Sequence, residues 1–381
     1  MKHILARHRL VGLLLGLIVL ALSLSGCAGG ALTTSWTGLT VEDDSVYAAD
    51  LQQIVRLDAA TGDVVWAFPA DPKEDKRGSF YVTPAVGEGY VIGAADVPAG
   101  GFFGSAQHTV WALDMEGQPV WSFSDAQGQY VEGGAIGDGV FVIGNSDGNV
   151  YALDVATGTL VWRFKTGHRV WATPLIEGGI AYVGAMDRHL YALNLADGEL
   201  VWSFAAGGAF ASQPTLHQGT LYIGGFDDQL YAIDAETGGL RWRFAGENWF
   251  WGAVTFNDGT VFGADVDGNV YALDAATGEE QWRQAVTGDK GRKAAVRAGV
   301  KLSEDASLLL VGSENGTLYA LDTADGRKVW SNDSQGQLLS DLRVVAGVIY
   351  EPVSYGTFRI RALHVENGRE IWAHPAETET D

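Results

Sequence analysis

The side chains best placed for chemistry in this chain are aromatic. It holds 13 Trp, 13 Tyr and 15 Phe against a single Cys. Aromatic residues open five successive stretches of similar pattern: Phe80 and Tyr81, then Tyr130, Trp171 and Phe210, and last Trp249, Phe250 and Trp251. A basic run follows in Lys290, Arg292, Lys293 and Arg297, in an otherwise acidic chain. Flat rings and cations of this kind suit recognition of peptides, sugars and other ring systems. The same aromatics could instead fill a core. Groups for bond-breaking chemistry are scarcer. His108, His168, His189, His217, His364 and His374 are scattered, with neither metal-ligand nor catalytic spacing to a nucleophile. Asp147-Gly148-Asn149 and Asp265-Val266-Asp267-Gly268-Asn269 have calcium-loop letters, but Asp-Gly-Asn is ordinary hairpin chemistry. Asn315-Gly316-Thr317 likewise reads as a turn. No catalytic residue, metal site or cofactor is expected.

These residues must be held by a repeated element. The stretch Ala152-Leu-Asp154-Val-Ala-Thr157-Gly158-Thr-Leu-Val-Trp162 recurs eight times, ending at Trp66, Trp121, Trp162, Trp202, Trp242, Trp282, Trp330 and Trp372. Each copy carries four strand signals, read in one of them as Val170–Ile176, 180–184, 190–193 and 200–204, with turn residues between. Four-stranded antiparallel units repeated around a ring make a β-propeller, so the fold predicted is all-β with eight blades. In the motif, Asp is expected to bond the amides of the turn and Gly to supply a positive φ. The Trp is expected to wedge between blades, with the Ala as the small residue where it docks. First and last repeats both carry four strands, which leaves open how the ring closes. Insertions at 69–79, 96–108 and 284–306 break the period. The first two belong to a link between blades and a turn that emerge on the same face, so they should meet there. The aromatic stretches should lie at the channel mouth on that face.

The motif resembles the tryptophan-docking motif of PQQ-type propellers, and the resemblance spans roughly residues 36–376. Departures are mild. Arg56 stands where the motif has Ala, Asn194 and His364 where it has Asp, and the copy ending at Trp121 is one residue shorter. Within this group the chain is similar to the BamB lipoproteins of outer-membrane β-barrel assembly. That likeness implies a non-enzymatic scaffold docking a protein partner at a membrane. PQQ-dependent dehydrogenases share the motif but carry an adjacent Cys pair, which one Cys cannot supply. A third reading is a sensor or carrier that binds carbohydrate or peptide at the channel mouth.

Residues 1–26 read as a secretory leader: Lys2, Arg7 and Arg9, an apolar run from Leu10 to Leu24, then Leu24-Ser25-Gly26-Cys27. This end resembles a bacterial lipobox and assigns lipidation to Cys27. Residues 27–35 form a short tether, 36–376 the propeller and 377–381 a tail. The resemblance places the protein outside the cytoplasm on a lipid anchor, at an outer membrane where one exists. The formal net charge is −22, and removing the leader's three basic residues makes it more negative. Such a surface disfavours nucleic acid and fits a soluble, monomeric propeller with a protein partner.

Overall fold

The computed structural model describes residues 38–97, 106–288 and 293–375. The leader, Cys27 and its tether, Lys290, Arg292, part of the 96–108 insertion and the tail lie outside the described residues. Those described form eight antiparallel sheets and no helix. The blades span 39–68, 79–123, 135–165, 175–205, 215–245, 255–285, 301–333 and 343–374, and each runs from an inner to an outer strand in chain order. The chain is thus an eight-bladed β-propeller, as the repeat predicts.

The innermost strands are shorter than the sequence suggests. In the fourth blade the strand is Leu175–Glu177, not 170–176. The reason is where the backbone bonds go. Val170 N–H donates to Asn145 O at 3.1 Å, in a turn of the preceding blade, so residues 170–174 belong to the link between blades.

The repeat motif fastens one blade to the next. Asp154 accepts the N–H groups of Ala156 (3.1 Å) and Thr157 (2.8 Å), as expected for a side chain that caps its own turn. Ala152 has another role from the one the sequence suggests. It lies directly across the ladder from Trp162 in the same blade. The ring of each Trp instead docks on the motif turn of the following blade. Trp121 donates Nε1–H to Val155 O at 2.8 Å and lies against Gly158. A Cβ on Gly158 would sit 2.5 Å from that ring, and its φ is 70°. The Gly therefore serves both turn and docking.

The same fastener closes the ring between two unbroken blades. Trp372 in the last blade donates to Ala59 O in the first at 2.9 Å and packs over Gly62. Tyr350 Oη reaches the same carbonyl at 3.3 Å. Leu39, Val46 and Leu57 share one core cluster with Tyr350, Ile360 and Trp372.

The first two insertions meet as expected. Ser79 and Phe80 form a short extra strand on the end of the long strand Tyr90–Val97. There His108 Nδ1 lies 2.5 Å from Asp96 Oδ1, both side chains buried. Burial pushes the Asp96 carboxyl up to about 6, against the opposing pull of His108.

Candidate functional site

The links that enter each blade decide which aromatics can bind anything. They lie outside the strand ladders, and neighbouring side chains along them differ sharply in burial. Phe80, Tyr130, Phe210 and Phe250 are 0–1% exposed and lie in the core, as Val170 and Val296 do on the links of their own blades. These four do not belong to a binding surface. Tyr81 is half-buried and packs against the core between blades two and three. Their neighbours Trp171, Trp249, Trp251 and Arg297 are each partly or largely exposed.

Three rings cluster, Phe226 stacked on Trp249 and tilted against Trp251. Trp249 lies 5.1 Å from Phe226 with planes 12° apart, and Phe226 lies 4.8 Å from Trp251. The Arg297 guanidinium sits 5.3 Å from the centre of Trp251 and pairs with Glu314 at 3.2 Å. Trp249 is 45% exposed, an unusual level for a ring of that size. It sits on the link into the sixth blade, while Phe226 comes from a turn of the fifth. Phe226 was not among the residues expected here. Its signal was a large apolar side chain in the turn Gly225-Phe226-Asp227, where chemistry alone asks for polar residues. Trp171 stands apart, half-buried, donating to Ser146 Oγ at 3.1 Å beside Arg169.

The basic run is largely neutralised where it is described. Lys293 Nζ reaches Glu247 Oε2 at 3.1 Å and Asn269 Oδ1 at 2.9 Å. Arg283 shares Glu247 at 2.6 Å. Lys293 beside it holds the Glu247 carboxyl below the usual range. Lys293 and Arg297 thus brace the mouth.

The Asp-Gly-Asn segments are turns. Asp147 accepts Gln127 N–H (3.0 Å), Asn149 N–H (2.9 Å) and Tyr151 Oη–H (2.7 Å). Asp265 likewise spends both oxygens on protein donors, taking Asn269 N–H at 2.9 Å and Tyr271 Oη–H at 2.7 Å. No three His, Cys, Asp or Glu side chains among the described residues gather as a metal site.

Below the mouth lies a polar cavity of about 240 Å³. Every blade contributes to its wall, which places it on the propeller axis. Asp341 accepts Gly299 N–H at 2.6 Å and pairs with Lys301 at 2.8 Å, with Arg343 at 4.0 Å. Burial pushes its carboxyl up, but Lys301 and Arg343 outweigh that and leave it below its ordinary value. Glu132 has no such partner. Burial pushes its carboxyl up to about 8, Asp341 adds to the rise, and Arg343 opposes it. Neither acid stood out in the sequence, because Glu132 and Asp341 lie far apart along the chain.

A family model described as outer membrane protein assembly factor BamB matches residues 25–136, 106–213, 197–298 and 266–381. Among solved structures, BamB from Moraxella catarrhalis aligns at 18% identity over 84% of this chain and 92% of that one, with a TM-score of 0.66. The computationally designed Ika8 protein aligns at 18% identity over 87% and 96%, with a TM-score of 0.71. Quinohemoprotein alcohol dehydrogenase from Comamonas testosteroni aligns at 16% identity over 78% and 67%, with a TM-score of 0.61. No curated protein matches the chain in sequence. At these identities the structures share its fold, and that fold serves both an assembly factor and an oxidoreductase. The family model is more telling, because it runs through the whole ring: the chain belongs to the PQQ-repeat family described as outer membrane protein assembly factor BamB.

Proposed function

We propose that this protein is a non-enzymatic scaffold, held outside the cytoplasm by a lipid on Cys27, that docks a protein partner through the propeller face bearing Trp249. Where the cell has an outer membrane, assembly of its β-barrel proteins is the role the family description supports. The observation that carries the docking surface is the ring stack. Trp249 and Phe226 present a rigid aromatic patch, and such anchors are enriched at the centres of protein interfaces.

A quinone cofactor fits the axial cavity poorly. PQQ is a planar triacid, and the cavity presents the carboxyls of Glu132 and Asp341 to it. Of the cations near the cavity, Lys301 and Arg343 both lie by Asp341, at 2.8 and 4.0 Å, and Arg297 is paired with Glu314. This supports the scaffold reading.

Crosslinking in native membranes, followed by identification of the adduct, tests the proposal. A membrane assembly protein should be captured by the parent chain and lost from Trp249→Ala. Capture that is the same in both would defeat the docking surface. In the same cells Cys27→Ser should move the protein from the membrane fraction to the soluble one. Unchanged fractionation would contradict the anchor.

A further inference from the structure

The axial cavity has bonding capacity that the fold leaves unused. Thr83, Thr173 and Ser340 line it, and their hydroxyls bond to no other described residue. Glu132 makes no side-chain hydrogen bond or ion pair there beyond the N–H of Gly133. Arg343 spends one Nη1 on Leu342 O at 3.3 Å and on the distant Asp341, so most of its five donors are unspent. Glu132 senses the charges of both Asp341 and Arg343 yet pairs with neither. Glu132 and Arg343 thus line one cavity without meeting, and Thr83, Thr173, Ser340 and Trp251 are among the other lining residues.

The occupant that suits this cavity is constrained in three ways. It must donate to Glu132 and accept from Arg343. It must be neutral, because Glu132 holds its proton near neutral pH and so offers hydrogen bonds without charge, while the charge of Arg343 is met by Asp341 at 4.0 Å. It must be small, since sites for drug-sized ligands run to roughly 300–1,000 Å³. A hydroxyl both donates and accepts, and a ring bearing several would satisfy opposed partners at once. We propose that the axial cavity binds a small neutral polyol of about monosaccharide size, with Glu132 and Arg343 as its two poles. The inference does not depend on docking through Trp249 and Phe226, neither of which lines the cavity.

Isothermal titration calorimetry on the full chain in detergent tests it. The probes are glucose, galactose, N-acetylglucosamine and myo-inositol, with putrescine and succinate as charged controls. At least one polyol should bind saturably at one site per chain. Glu132→Gln and Arg343→Met should each weaken it tenfold or more, and Thr173→Val several-fold. The Thr173 variant leaves the charged groups in place, so it reports on the cavity even if an Arg343 variant misfolds. Absence of saturable binding by all four polyols, affinity unchanged in Glu132→Gln and Thr173→Val, or tighter binding of putrescine or succinate would each overturn the proposal.

Discussion

Trp249 and Phe250 are chain neighbours with opposite fates. Trp249 is 45% exposed, and Phe250 beside it, 1% exposed, lies in the core. Phe250→Ala should therefore cost about 3–5 kcal/mol in chemical denaturation, while Trp249→Ala should stay within about 1 kcal/mol. A larger loss from Trp249 than from Phe250 would reverse the assignment of faces. Glu132 gives a second residue-scale expectation. Its folded value, about 8, lies above its ordinary value of 4.5, so the native state holds a proton that the unfolded chain releases. Stability should fall as pH rises from 4.5 towards 8. Glu132→Gln cannot release that proton and should lack this component. Melting curves from pH 4 to 9 should then diverge upward in pH, with the variant the more stable at pH 9. A constant difference across the range would contradict the burial argument.

At the scale of the element, the repeat is a fastener, and its parts were unequally legible. Asp154 and Gly158 could be read from turn chemistry, because a cap and a positive φ are local requirements. The docking partner could not be read locally. Which small residue meets the Trp depends on how adjacent blades pack, and the answer is the Gly of the next turn, not the Ala across the ladder. The link aromatics show the same limit. Their recurrence was visible, but the burial of Phe80, Tyr130, Phe210 and Phe250 depends on where each link leaves its ladder. Glu132 and Asp341 were invisible as a pair because only closure of the ring brings them to one axis. The fastener makes its own prediction at the closing joint. Trp372→Ala should cost about 3–5 kcal/mol. Trp372→Phe keeps a ring over Gly62 but loses the bond to Ala59 O, so its hydrogen-bond loss should be about 1 kcal/mol. Equal losses in denaturant titrations would place all the stabilisation in the hydrogen bond.

At the scale of the molecule, eight identical joints leave the ring without a special seam. First and last blades are whole, and Trp372 joins them as Trp121 joins the second blade to the third. That regularity makes the two faces differ in kind. The motif turns on one face repeat and are occupied by docking. The links and turns on the other face vary, and variation on a rigid frame is where recognition resides. The insertions of the second blade, the ring stack at the fifth and sixth, and the axial cavity's mouth all belong to that variable face. A partner docked there would leave the motif turns exposed. Placing a photocrosslinking residue at position 249, and in a separate variant at Thr277 in a motif turn, distinguishes the faces in intact membranes. The account predicts a discrete protein adduct from position 249 and none from position 277. An adduct from 277 alone would put the docking surface on the opposite face and contradict the account.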